Sequence, residues 1–140
     1  ARPRYTLTPS IVFRDENPFM AIGTPGGDNQ DQTILQTFLA IVEFWDDWYP
    51  NLHDAIAWPR VRTQHLHGSF WPHAAGFTQM DLESSIDEEV IDDLRNRGHQ
   101  VNEVPPFGVS GCATVVLIDP ATQHRLAAGD PRRDCYAMAY

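Results

Sequence analysis

The segment Phe19-Met20-Ala21-Ile22-Gly23-Thr24-Pro25-Gly26-Gly27-Asp28-Asn29 decides the fold of this chain. Its first four residues are apolar and predict a short buried β-strand. The glycines and the proline of residues 23–27 then predict a loop, because neither a strand nor a helix accommodates them. Asp28 or Asn29 can cap a helix. Apolar residues follow at helical spacing, at Ile34, Leu35, Phe38, Ile41, Val42 and Trp45.

The glycine loop, residues 23–27, is the strongest chemical signal in the sequence. Amides at a helix N-terminus lack internal partners, and glycine lets them approach a ligand closely. Such a loop binds a phosphate or a developing oxyanion. Phosphate is disfavoured because Gly27 is followed by Asp28 instead of Lys-Ser/Thr, and because the Gly-x-Gly-x-x-Gly spacing is absent. Spacing alone leaves open a tight turn without any chemical role.

Two hairpins are predicted, and the first includes the strand that precedes the glycine loop. Residues 10–14 and 19–22 predict one hairpin, with both strands largely buried. Residues 113–118 and 125–128 predict the other, close to the end of the chain. Hairpins rather than βαβ units favour a mixed α/β fold with a largely antiparallel sheet and flanking helices.

Two further helices and a less regular region lie between the hairpins. Residues 53–58 predict a short helix, and residues 61–70 predict one or two strands. Ser85 and Glu88 have the spacing of a capping box for a later helix. Gly98 is expected to cap the C-terminus of that helix in a left-handed conformation.

Length and charge restrict the class of protein. A chain of 140 residues fits one domain. Its net charge of −9 disfavours nucleic acid and anionic membrane surfaces as partners. No run approaches the roughly 20 apolar residues of a membrane-spanning helix. Residues 1–4 have no apolar stretch behind them, so we expect no signal peptide there.

The two cysteines are predicted to be free thiols. In the final hairpin Cys112 would lie opposite Pro131, which leaves Cys135 several residues out of register for a disulfide. Two cysteines are also too few for a disulfide framework. Neither residue is a good candidate nucleophile, because no basic residue neighbours Cys112.

The histidines of residues 65–73 do not predict a metal site. His65 and His67 would point to the same face of a strand, and His73 follows nearby. No acidic residue or cysteine lies close enough in sequence to complete a coordination shell. We therefore expect no metal and no cofactor.

At Gly23-Thr24-Pro25-Gly26-Gly27 the chain resembles the gamma-glutamyltranspeptidases, which carry a Gly-Ser/Thr-Pro-Gly-Gly loop between a strand and a long helix. Other elements match the family in the same order. They are Arg2-Pro3, Thr6, Thr8-Pro9, Ala57-Trp58-Pro59-Arg60, Arg97-Gly98-His99 and Asp130-Pro131-Arg132. The resemblance therefore extends over nearly the whole chain.

This resemblance implies the αββα sandwich of the N-terminal-nucleophile hydrolases and a precursor that cleaves itself. Cleavage frees a threonine whose hydroxyl is the nucleophile and whose amine is the base. That threonine would lie upstream of Ala1, so residues 1–140 resemble the C-terminal part of a small subunit. The implied partners are the rest of that subunit, the large subunit and a small gamma-glutamyl substrate such as glutathione. The isolated chain is expected to be inactive.

The resemblance also assigns site residues. Gly26 and Gly27 match the glycines whose amides form the oxyanion hole, and Tyr5 and Thr6 match a serine pair that holds the donor carboxylate. Tyr5 is much larger than serine. Residues 27–32 depart from the better-known transpeptidases and resemble a divergent bacterial branch. The resemblance leaves both a periplasmic and a cytoplasmic location open. Two alternatives remain open at this stage, namely an acylase for glutaryl or cephalosporin substrates and a non-catalytic domain of the same fold.

Overall fold

The computed structural model describes residues 5–138, so Ala1 and the Arg2-Pro3 pair lie outside the described residues. Strands and helices alternate irregularly along the chain. In order they are β1 (Ser10–Arg14), β2 (Asn17–Gly23), α1 (Gln30–Glu43), α2 (Trp45–Trp48), α3 (Leu52–Ala57), β3 (Val61–Thr63), β4 (Gln79–Glu83), α4 (Glu88–Asn96), β5 (Gln100–Val104), β6 (Thr114–Ile118) and β7 (Arg125–Gly129).

The first sheet is antiparallel and has the order β1-β2-β6-β7. Both predicted hairpins are present in it. Its buried face packs against the helices to form the main core, in which Ile41 of α1 and Ile56 of α3 are fully buried. The expectation that both strands of the first hairpin are buried is wrong for β1. This strand lies at the sheet edge, and Ile11 and Phe13 are 67% and 60% exposed.

The second sheet has the order β3-β4-β5, and it departs from the predicted pattern. Strands β4 and β5 pair in parallel, because α4 carries the chain back between them. The molecule thus contains one βαβ unit, which the sequence analysis did not expect. Residues 61–70 contribute only the short strand β3.

The ends of α4 test two local predictions. The capping box of Ser85 and Glu88 is not formed, because the helix begins at Glu88 with Asp87 at its N-cap and without a side-chain cap hydrogen bond. Gly98 has φ +94°, which is the predicted left-handed conformation. A Cβ at Gly98 would have no neighbour within 4 Å, so only backbone conformation demands glycine there.

Helix α1 follows the glycine loop as predicted, but its buried face is more polar than expected. On α1, Ile34, Phe38 and Ile41 pack against the core, whereas Leu35 and Val42 remain exposed. Thr33 and Thr37 are buried instead. This face is partly polar because Thr33 accepts a hydrogen bond from Asn29 and Thr37 accepts one from Arg60. The predicted helix is interrupted at Phe44, so Trp45, which also packs against the core, begins α2.

The cysteines form a disulfide, so the prediction of free thiols is wrong. The predicted register is correct, since Thr114 pairs with Gly129 and Cys112 would therefore lie opposite Pro131. However, the chain leaves the strand direction after Gly129 and folds back on it. A Cβ on Gly129 would lie 3.0 Å from the backbone of Cys135. This reversal brings the two sulfur atoms together.

Four charged side chains form a buried ion network of Arg60, Glu83, Asp130 and Arg132. Arg132 donates to Glu83 Oε2 at 2.7 Å and to Asp130 Oδ1 at 3.1 Å. Arg60 pairs with Asp130 Oδ2. All four side chains are at most 3% exposed, and burial lowers the pKa of the Arg60 guanidinium. Two cations and two anions balance each other.

Backbone amides complete this network. The amides of Arg60 and Val109 each donate to Glu83 at 3.2 Å, and the amide of Ala113 donates to Asp130 at 3.0 Å. The network thereby joins the ends of β4 and β7 to the segment that precedes β3. It is where residues 57–60 and residues 130–132 meet.

Candidate functional site

The glycine loop adopts a backbone that favours glycine at two positions. Gly26 has φ +144° and Gly27 has φ +58°. Their carbonyl groups start the helix, accepting hydrogen bonds from the amides of Asn29, at 3.1 Å, and of Gln30. Within residues 5–138 the amides of the two glycines themselves have no acceptor. The loop therefore offers two unsatisfied donors at the start of α1.

Both glycines line a cavity of about 510 Å³, which we call the glycine-loop cavity. Tyr5 and Thr6 line it as well, so all four site residues named from the sequence lie around one space. The ring of Tyr5 is largely exposed, with 78% of the residue accessible. Three walls and a back surround the loop, and each is held by specific contacts.

The first wall is the segment of residues 5–8, and Gln30 holds it in place. The buried side chain of Gln30 satisfies its amide when the nitrogen is assigned to face the first wall, and it then donates to the carbonyl oxygen of Thr6 at 2.8 Å and to that of Thr24 at 3.2 Å. One side chain thus joins the proposed carboxylate-binding segment to the glycine loop.

The second wall is β3, which is held by two glutamines of α1. Gln32 accepts from the amide of Thr63 at 2.8 Å and donates to its carbonyl at 3.2 Å. Gln36 does the same for Val61, with both distances 2.9 Å. Each glutamine satisfies both backbone groups of one strand residue.

The third wall is the loop of residues 66–74. Ser69 donates its amide to Asp28 Oδ2 at 2.7 Å, directly after the glycines. The ring of Phe70 lies beside Gly27, where a Cβ would approach it to 3.2 Å. This loop therefore closes over the glycine that begins the helix.

The back of the site is formed by residues 110–112. Asn29 is buried and donates to the carbonyl of Ser110 and to Thr33 Oγ1, the latter at 3.2 Å. Cys112 donates its amide to Thr24 Oγ1 at 3.0 Å. The expected cap at Asn29 is therefore wrong in detail, because its side chain fixes the loop against the back wall instead of capping the helix.

Arg62 was missed by the sequence analysis, although its side chain lines the cavity from β3. Its Nε lies 3.4 Å from Asp81 Oδ2, and its Nη1 donates to Ser110 Oγ at 3.3 Å. Asp28 and Asp31 also line the cavity, so its charge is mixed. The only sequence signal for Arg62 was its place two residues after the Ala-x-Pro-Arg element.

His65, His67 and His73 do not form a single cluster. His65 stacks on His99 with ring centroids 5.4 Å apart, and His67 and His73 contact backbone carbonyls of their own loop. Among residues 5–138, no three His, Cys, Asp or Glu side chains are placed to hold a metal ion. In the same part of the chain, no helix is long and apolar enough to cross a membrane.

Known proteins are similar to this chain in sequence and in fold. The family model for gamma-glutamyltranspeptidase matches residues 1–140. The glutathione hydrolase proenzyme of Bacillus subtilis (strain 168) is 27% identical over 104 residues, which is 74% of this chain and 15% of that protein. This chain thus spans about 15% of the length of the curated relative it matches.

Solved structures are also similar to this chain. The structure of LmbA2991HD superposes with a TM-score of 0.85 and 41% identity, covering 94% of this chain and 23% of that one. A mutant gamma-glutamyltranspeptidase of Helicobacter pylori gives 0.70 and 25%, covering 95% of this chain and 64% of that one. The predicted fold class, that of the N-terminal-nucleophile hydrolases, is confirmed. The chain belongs to the gamma-glutamyltranspeptidase family.

Proposed function

We propose that this chain is the C-terminal part of the small subunit of an enzyme that cleaves gamma-glutamyl amides such as glutathione, by transfer or hydrolysis. One observation carries the proposal. The unpartnered amides of Gly26 and Gly27 line the same cavity as Tyr5 and Thr6. Membership of the family supports the reaction class.

In this proposal the nucleophile is a threonine in another part of the same precursor. Its hydroxyl attacks the amide carbonyl of the substrate, and the threonine's own amine takes the hydroxyl proton. An acyl-threonine forms as the amine portion of the substrate accepts a proton and leaves. The carbonyl oxygen gains negative charge during the attack. The amides of Gly26 and Gly27 stabilise that charge, and such donors contribute roughly 3 kcal/mol each in other hydrolases. Thr6 and Tyr5 hold the donor carboxylate.

The contacts around the loop support preorganisation of these amides. Gln30, Asn29 and Thr24 tie the loop to the first wall and to the back of the site before any substrate is present. Donors that are already fixed need no reorganisation as charge develops. The upstream threonine and the large subunit would complete the site, so we expect the isolated 140-residue chain to release no nitroaniline from a gamma-glutamyl anilide. Turnover by the purified chain would contradict this division of roles.

The proposal is tested by Gly27→Ala in the intact enzyme, with Gly98→Ala as a matched control. Both changes place alanine at a positive φ, which costs on the order of 1 kcal/mol. Only Gly27 lies in the cavity. Alanine keeps the backbone amide of residue 27 but adds a methyl group 3.2 Å from the Phe70 ring, which should tilt that amide away from the oxyanion. We therefore expect small losses of melting temperature from both variants, and a loss of about 10²–10³-fold in kcat from Gly27→Ala alone. The larger Gly27→Val would act in the same direction but would press harder on Phe70 than alanine does.

The opposite pattern would overturn the proposal. If Gly27→Ala loses stability but keeps normal turnover per folded molecule, the glycines only shape a turn. Equal losses of kcat in both variants would show that backbone strain, rather than the position of an amide in the cavity, slows the enzyme.

A second function is favoured by Tyr5. Its large ring lines the cavity where the family pattern has a small serine. An acylase that takes glutaryl groups, as on a cephalosporin nucleus, would still bind the terminal carboxylate but would need no contact for an α-amine. Comparing kcat/KM for glutaryl and gamma-glutamyl anilides distinguishes the two, because a glutaryl preference assigns the acylase.

A further inference from the structure

We infer that Arg62 binds a carboxylate on the leaving-group side of the substrate, opposite the donor carboxylate. This inference rests on the proposed function and adds a specificity-determining residue to it. The substrate class is then a gamma-glutamyl amide whose amine portion is itself anionic. Three features of the described residues lead to this conclusion.

The first feature is the position of Arg62 relative to the first wall. Gln30 holds the segment with Thr6, and Gln32 holds Thr63, the strand neighbour of Arg62. Residues 30 and 32 point about 200° apart around a helix. The two walls therefore lie on opposite sides of the helix start. A donor that reaches from Thr6 to Gly26 and Gly27 directs its leaving group toward β3.

The second feature is that the guanidinium of Arg62 is incompletely used. Within residues 5–138 its contacts engage Nε and Nη1, and Nη2 has no partner. Arg60, two residues earlier, is different. Its Nη1 pairs with Asp130, and its Nη2 donates to Thr37 Oγ1 at 3.0 Å and to the carbonyl of Ile56 at 3.1 Å. Arg62 retains donor capacity, and a carboxylate matches its planar geometry.

The acid beside Arg62 is shared with other donors. Asp81 accepts from Asn102 Nδ2 at 2.9 Å as well as contacting Arg62 at 3.4 Å. The longer contact is a weak pairing, and the Arg62 side chain is 33% exposed. The cation is therefore held in position without being neutralised by a close bidentate partner.

The third feature is the charge of the rest of the cavity. Asp28 and Asp31 line it near the glycines, where they disfavour a second carboxylate. Asp31 accepts the amide of Gln32 at 2.8 Å, and Asp28 accepts that of Ser69. An anionic leaving group is thus favoured beside Arg62 and disfavoured along the helix start, which makes its orientation specific.

The experiment compares two chromogenic donors in the intact enzyme, gamma-glutamyl-4-nitroanilide and gamma-glutamyl-3-carboxy-4-nitroanilide. These differ by one carboxylate on the leaving group. We expect Arg62→Gln to lower kcat/KM about tenfold for the carboxylated donor, mainly through KM, and to change the other donor less than about twofold. Arg62→Lys should give an intermediate loss, because it keeps the charge but not the planar fork.

Arg95→Gln is the control, since Arg95 pairs with Asp92 and Glu103 on the surface of α4 and β5, away from the cavity. It should leave both donors unchanged. Equal losses for both donors, or no loss, in Arg62→Gln would overturn the inference while the proposed function stands. If the wild-type enzyme cleaves neither donor, the proposed function fails and the inference fails with it.

Discussion

The glycine-loop cavity and the buried ion network are both built from sequence elements that match the family, yet they leave their polar groups in opposite states. In the network, Arg60 and Arg132 are paired with acids and backbone groups and excluded from water. In the cavity, the amides of Gly26 and Gly27 have no acceptor among the described residues. A matching motif therefore does not by itself indicate chemistry. The unsatisfied donors at the cavity wall are the feature that supports the proposed chemical role of the glycine loop.

The largest effect should come from breaking the network at Arg132. Arg132→Met leaves Glu83 buried without the two hydrogen bonds from Arg132, at 2.7 and 2.8 Å, and without its partner charge. Breaking a buried ion pair in this way costs about 3–5 kcal/mol. The intact enzyme should lose that free energy of unfolding in chemical denaturation. Arg133→Met, at the exposed next residue, is the matched control and should change little. If Arg132→Met has the same free energy of unfolding as the wild type, the buried ion network does not contribute the stability that we assign to it.

A smaller effect should come from the cavity at Thr6. In the proposed role, Thr6 contacts the donor carboxylate in both the ground state and the transition state. Thr6→Ala should therefore raise KM about tenfold with little change in kcat. Steady-state kinetics with a gamma-glutamyl anilide measure this, and the melting temperature should not move. A collapse of kcat at constant KM would place Thr6 in the chemistry instead of in binding.

The smallest effect concerns a satisfied carboxylate outside both regions. Asp119 accepts from Thr122 Oγ1 at 2.5 Å, Tyr49 Oη at 2.7 Å and the amide of Ala121 at 2.8 Å. These hydrogen bonds lower its pKa from 3.8 to about 2, with that from Thr122 foremost. Because the folded-state pKa is the lower one, the stability it contributes is present above about pH 4 and is lost as the pH falls toward 2.

The stability difference between wild type and Asp119→Asn should therefore shrink between pH 4 and pH 2. Urea denaturation of both proteins across that range measures it. A difference that stays constant would show that the carboxylate contributes no pH-dependent stability at this turn.

Local features of the fold were predictable from the sequence. The strand, glycine loop and helix of residues 19–43 follow from short-range patterns, and so does the left-handed Gly98. The register of the final hairpin was also correct, because a short turn joins Ile118 to Arg125 and so fixes the pairing of Thr114 with Gly129. Each of these depends on residues near in sequence.

The failures involve contacts that form only in three dimensions. In strands β4 and β5, apolar residues are interspersed with polar ones, and helix α4 separates the two strands in the sequence. No local pattern therefore indicated that they pair. The disulfide required the chain to fold back after Gly129. Arg62 could not be distinguished from other surface arginines, since only the packing of β3 against α1 brings it to the cavity.

The glutamines that hold β3 have a consequence for how its exposed backbone is protected. Gln32 and Gln36 each bond one strand residue through both its amide and its carbonyl, as a neighbouring β-strand would. The spacing fits, because four helical residues rise about 6.0 Å and two strand residues about 6.6 Å. Helix α1 therefore acts as a surrogate strand that occupies the free edge of β3. An edge occupied in this way cannot recruit a foreign strand, which removes one route to aggregation.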